Sequence, residues 1–210
     1  MNEAQHLGLN LSALLPSTNF STLFPTQARS VLLLGSTGVT FFERYTPEAL
    51  DEPNPLDSYT RRLVHRLVTT SLPEALAVYF PFEEPFLPFL RMGIEAGLGH
   101  PGPLGIMVSP MYGPWFALRA AVALPFEVVP IPPIKNVCLT CPAPCIAACP
   151  AGAVRREGLQ VNSCGEARHQ GPCADRCVAR EACPEGVGWR YQEAAVHFHH
   201  RGASLFFPKK

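Results

Sequence analysis

The chain has 210 residues, 47% of them hydrophobic, with 17 basic side chains balanced by 17 acidic ones. That is enough apolar material for one buried core, or for a core and a small module. A zero net charge argues against a nucleic-acid binder or a protein held on an acidic membrane surface, since both normally carry a basic excess.

The start, Met1-Asn2-Glu3, has neither the basic residues nor the apolar run of a secretory leader. The longest apolar stretches, Val31–Leu34 and Trp115–Leu124, are too short to span a bilayer, and Arg119 interrupts the second. A soluble, cytoplasmic protein with no membrane partner is expected.

Val31–Leu34, between a turn containing Pro25 and Gly35, reads as a buried strand. The Gly35–Gly38 segment lacks the full pattern of a phosphate-binding loop and reads as a strand-end turn. Tyr59, Leu63, Val64 and Leu67 recur at helical spacing, and Asp57 ahead of them fits an N-cap better than a proton donor. Ala75–Phe80 predicts a second strand, and Phe86–Ala96 a helix closing at Gly97 and Gly99. Leu104–Val108 and Trp115–Leu124 predict two more strands joined through Ser109–Pro114. The fold class is therefore mixed α/β, or α+β, over a body of residues 1–135. Four prolines in residues 125–136 make a stiff connector. A cysteine module (136–184) and a helical tail (185–210) packed on the body complete the organisation. His197, His199 and His200 in that tail fit a solvated or packed helix better than a metal site.

All eight cysteines lie between residues 138 and 183, and the first 137 residues have none. Disulfides belong mainly to small secreted chains with cysteines spread throughout, so a metal-binding module is the better reading. The first group is Cys138, Cys141, Cys145 and Cys149-Pro150. Bacterial ferredoxins use C-x2-C-x2-C-x3-C-P, in which three thiolates grip one cluster and the fourth reaches the other. Here one extra residue separates Cys141 from Cys145. The second group, Cys164, Cys173, Cys177 and Cys183-Pro184, supplies four further ligands and again ends in Cys-Pro. Two [4Fe–4S] clusters are expected. By the crossed pattern, one takes Cys138, Cys141, Cys145 and Cys183, and the other takes Cys149, Cys164, Cys173 and Cys177. Two zinc sites, or one cluster with four spare thiols, are the alternatives.

Ala96–Gly99, Ser109–Trp115, Leu124-Pro125 and the cysteine run together resemble epoxyqueuosine reductase, a family that uses cobalamin and two [4Fe–4S] clusters. Asn54–Asp57, Gly113–Arg119 and Arg190–Glu193 resemble, in the same order, the cobalamin-processing protein of the cobalamin C type, which lacks the cysteine module. These resemblances imply a nitroreductase-like body with a mixed sheet, a ferredoxin-like dicluster module, and cobalamin near Gly97, Gly99, Gly113 and Trp115. They also imply Asp57 as the counterpart of an acid. Ser109-Pro110-Met111 stands where the second family has residues tied to glutathione, so glutathione use is not expected, and the short chain leaves no room for contacts to transfer RNA. The implied function is an oxidoreductase whose clusters, charged by a redox partner protein, pass electrons to a corrinoid. A ferredoxin-type carrier without organic cofactor is the alternative, as is an iron–sulfur flavoprotein holding FMN or FAD.

Overall fold

The computed structural model describes residues 3–45, 54–171 and 173–204, apart from the side chains of residues 170, 199 and 201–204. The first elements are α1 (Glu3–His6), β1 (Leu11–Pro16), β2 (Ser30–Thr37), α2 (Thr40–Arg44), α3 (Pro55–Ser71), β3 (Ala77–Tyr79) and α4 (Phe89–Glu95). There follow β4 (His100–Pro101), β5 (Met107–Val108), β6 (Phe116–Leu124), α5 (Pro144–Ala147), β7 (Val154–Arg155) and β8 (Gly158–Leu159). The chain ends in α6 (Val161–Gln170), α7 (Val178–Glu181) and α8 (Glu193–Ser204). They form two compact units, one of Met1–Leu98 with Phe116–Ile134 and one of Gly99–Trp115 with Lys135–Lys210.

The first unit is built on a four-stranded sheet of order β1-β2-β6-β3, antiparallel throughout among the described residues rather than the mixed sheet expected. Leu34, Ala120, Val122 and Leu124 share a core with Leu63, Val64 and Leu67 of α3. Val31, Leu33, Ala121 and Ala123, which point the other way along the same strands, are 0% exposed. Burial on both faces explains why the centre of β2 is a continuous apolar run rather than an alternation. A register shift at Leu34/Gly35 bends β2 where Gly35 lies against the Ala117 carbonyl.

Several expectations shift in register. The cap of α3 is Asn54, followed by Pro55, so Asp57 sits in the first turn rather than at the N-cap. Pro85 and Pro88 delay α4 to Phe89. It closes at Gly97, whose φ is +68°, with Leu98 N donating to Gly93 O at 2.9 Å. The strands expected at residues 104–108 and 115–124 are present but do not pair with each other. Of residues 104–108 only Met107–Val108 is a strand, and it pairs with His100–Pro101, while β6 pairs with β2 and β3. The predicted elements also omit the edge strand β1.

In the second unit α5 and α7 are single turns and β4, β5, β7 and β8 have two residues each, while α6 and α8 have 10 and 12. Leu104, Ala143, Cys145, Val154 and Ala179 form its small core, with Ile146, Cys149, Leu159 and Cys177 packed against them. Among the described residues, no helix is long and apolar enough to cross a membrane.

Candidate functional site

The eight thiols surround two cavities in the second unit. Cys138, Cys141, Cys145 and Cys183 line the smaller, of about 20 Å³. Cys149, Cys164, Cys173 and Cys177 line the larger, of about 340 Å³. Neither set is contiguous in sequence: Cys149 leaves the first run for the second cavity, and Cys183 leaves the second run for the first. All eight are free of disulfides. Among the described residues, no three His, Cys, Asp or Glu side chains close on the position of a single ion.

Local conformation explains how the first run is shaped. The Asn136 side chain accepts from Cys138 N at 3.1 Å and starts a tight turn over Val137–Leu139. Ala143 then takes a left-handed φ of 57° between two prolines, and its N–H donates to Cys141 Sγ at 3.3 Å. That strained residue absorbs the extra position between Cys141 and Cys145. Pro144 opens the single turn of α5, which carries Cys145. In the later run, Cys164 and Arg168 stand four apart on α6, and Cys177 immediately precedes α7.

Burial comes first among the causes that push the Cys138, Cys145, Cys164, Cys173 and Cys183 thiols above the usual cysteine range. Neighbouring thiols add to it. Cys183, Cys141 and Cys145 act on Cys138, while Cys177 and Cys149 act on Cys173. Arg168 opposes the shift at Cys164 and Cys173. Thiols crowded in this way hold their protons until a metal group displaces them. Four soft sulfur donors around each cavity fit an iron–sulfur cluster by donor chemistry.

The other singled-out residues have internal partners. A Cβ on Gly99 would stand 2.6 Å from the Val108 carbonyl oxygen, and one on Gly113 2.1 Å from that of Glu185. Gly186 faces Tyr112 as closely, so two chain segments cross glycine against glycine beside Cys183. At Gly97 the same space is bounded by Ile131. The close approach these glycines permit is to the chain's own atoms. Trp115 is 1% exposed, packs edge-on against Tyr191, and lines the larger cavity. Asp57 belongs to the sheet unit. Burial raises its carboxyl above the ordinary range, against the opposing charges of Arg119 and Arg61.

Arg168, Arg180 and Glu185 were not singled out from the sequence, whereas His200 was read as part of a solvated or packed helix. His200 is 8% exposed and hydrogen-bonds the Cys173 carbonyl, and Arg168 donates to the His200 carbonyl. The available signal was spacing: Arg168 lies one helical turn after Cys164, and Arg180 lies three residues after Cys177.

An epoxyqueuosine reductase structure superposes on this chain with a TM-score of 0.58 at 14% identity, covering 92% of this chain and 66% of that one. The chain has the epoxyqueuosine reductase fold. It is also similar to a C. elegans B12-trafficking protein of the CblC type, with a TM-score of 0.55 at 14% identity over 94% of this chain and 86% of that one. A catabolic reductive dehalogenase solved with 3-bromo-4-hydroxybenzoic acid superposes over 98% of this chain and 33% of its own, with a TM-score of 0.51 at 12% identity. The chain thus spans just under two thirds of the epoxyqueuosine reductase. No family model and no curated protein matches the sequence.

Proposed function

We propose that this chain is an iron–sulfur oxidoreductase that holds two [4Fe–4S] clusters and serves a corrinoid. The carrying observation is the division of the eight thiols, four to each of two cavities, in an order that crosses between the sequence groups. Cys138, Cys141, Cys145 and Cys183 would hold one cluster of a ferredoxin-like module, and Cys149, Cys164, Cys173 and Cys177 the other. The chemistry such groups supply is one-electron transfer, taken from a redox partner protein and delivered to a corrinoid cobalt.

The protein's own contribution is placement and exclusion of water. Ala143 and the crossing of Gly113 with Gly186 hold the cysteine loops in position. Leu104, Ala153, Val154 and Leu159 give the larger cavity apolar walls.

The corrinoid is supported by fold likeness to a reductase and to a B12-trafficking protein. Gly97, Gly99 and Gly113 also lie against the chain's own atoms, and Trp115 packs on Tyr191. Electron delivery needs no proton donor at the metal, and Asp57 has no required part in it.

Titration of the anaerobically reconstituted protein with hydroxocobalamin tests the reading, followed by reduction with limiting dithionite beside a protein-free control. Saturable binding at micromolar corrinoid and protein-dependent cobalt reduction are expected. Loaded clusters without corrinoid binding would leave a carrier, and tight flavin binding would leave a flavoprotein.

A further inference from the structure

The walls around the two sets of thiols carry opposite charge. Arg168, Arg180, Trp115 and His200 line the cavity of Cys149, Cys164, Cys173 and Cys177. Among the described residues lining it, the one acid, Glu181, is paired with Arg176 at 3.3 Å. Among the described residues lining the other cavity, Glu185 is the one ionisable side chain besides the thiols.

Arg180 is held with unusual firmness for an arginine. Its guanidinium lies 4.7 Å from the Trp115 ring centre and 4.8 Å from that of Tyr191. One terminal nitrogen donates to the Pro114 carbonyl at 2.5 Å. Its Nε–H, like the Nε1–H of Trp115, is buried with no acceptor among the described residues. Buried donors are normally satisfied, and one that is not calls for a functional or ligand explanation. Two of them on residues that line one four-thiol cavity call for the same explanation.

We propose that Arg180 and Trp115 donate N–H···S hydrogen bonds to the cluster held by Cys149, Cys164, Cys173 and Cys177, and make it the more easily reduced of the two. The inference rests on the iron–sulfur reading above. In the step concerned, the cluster takes one electron from an external low-potential electron-carrier protein and gains one negative charge; no bond forms and no proton moves. Donors and fixed positive charge favour the more negative state, so they raise the reduction potential. Glu185 opposes reduction at the other cluster for the same electrostatic reason. Electrons would therefore collect first at the Cys149 set, leaving the Cys138 set as the stronger reductant. Arg180 and Trp115 act directly on the cluster in this account, and a potential reports on them where a purely structural role would not.

The test is a mediated redox titration of the full reconstituted chain, read by electron paramagnetic resonance. The two signals are assigned with the Cys141→Ser and Cys164→Ser variants, each expected to lose one of them. In the wild type, the signal that survives in Cys141→Ser should develop at the higher potential. Arg180→Gln, with iron content unchanged, should move that midpoint downward and leave the other in place, and Glu185→Gln should move the other upward. If Arg180→Gln fails to load the site, Trp115→Phe carries the test, because it removes the N–H and keeps the ring. The reverse order of potentials in the wild type, or unmoved potentials in loaded variants, would overturn the proposal. A wild-type chain that binds no iron and sulfide would instead bring down the iron–sulfur reading itself.

Discussion

In the sheet unit, β2 and β6 run for 8 and 9 residues and bury Val31, Leu33, Val122 and Leu124 almost completely. In the cysteine unit, α5 and α7 have 4 residues each, β7 and β8 have 2, and the shared core is Leu104, Ala143, Cys145, Val154 and Ala179. Helices of one turn are not stable alone, because nucleation costs more than a few hydrogen bonds return. The first unit is held by apolar burial. The second brings four thiols to each of two cavities, and there ligand bonds would take the place of a larger core. The contrast teaches where each kind of perturbation should act.

The largest effect expected is that of iron removal. Chelation under oxidising conditions should strip protection from the amides of α5, α7 and the cysteine loops, while β2 and β6 keep theirs. Hydrogen exchange followed by mass spectrometry checks this. Uniform loss of protection in both units would mean that the sheet, too, depends on the metal.

Single ligand removal comes next and divides the cysteine unit internally. Cys183→Ala should lose the cluster of Cys138, Cys141 and Cys145, although Cys183 lies nearer in sequence to Cys173 and Cys177. Cys149→Ala should lose the cluster of Cys164, Cys173 and Cys177. Each variant should keep about half the iron and one of two paramagnetic signals. Loss of the opposite signal in each case would mean local rather than crossed ligation.

Leu34→Ala perturbs the other side of the comparison. Leu34 is 2% exposed in the core shared with α3. Its truncation should lower stability to urea by about 2–5 kcal/mol, with iron content unchanged. Coupled loss of iron would show that the two units fail together.

How legible these two regions were in the sequence differs for physical reasons. The core of β2 was readable because burial on both faces leaves an unbroken apolar run. Its partner β1 was not: it is a six-residue edge strand containing Ser12 and ending at Pro16, so it lacks that run. The two strands expected at residues 104–108 and 115–124 are present as β5 and β6, the first shortened to Met107–Val108, but local pattern could not tell that they pair with different partners. In the site, ferredoxin spacing pointed to the two crossed sets of four thiols, since a tight loop leaves its fourth cysteine facing elsewhere. It carried nothing about Arg180 or Trp115, whose place at the larger cavity depends on contacts between distant segments. Within the chain, the atoms that approach Gly99 and Gly113 most closely are the carbonyls of Val108 and Glu185, contacts that no local pattern shows.

The smallest effect concerns Asp57. Burial raises its carboxyl in the folded state, so the native chain binds a proton more readily than the unfolded one. Stability from this group is then present at acid pH and declines as pH rises through the carboxylate range. Relative to Asp57→Asn, the wild type should gain in urea midpoint as pH is lowered from 7 into that range. Cobalt reduction should be alike in the two proteins. A relative gain with rising pH would reverse the sign and point to Arg119 and Arg61 as the dominant influence.

The most direct test of the central claim is the iron and acid-labile sulfide content of the wild-type chain after anaerobic reconstitution. Two four-thiol sites predict about eight irons and about eight sulfides per chain. About four of each would leave a single cluster with four spare thiols, and stoichiometric zinc without sulfide would contradict the account.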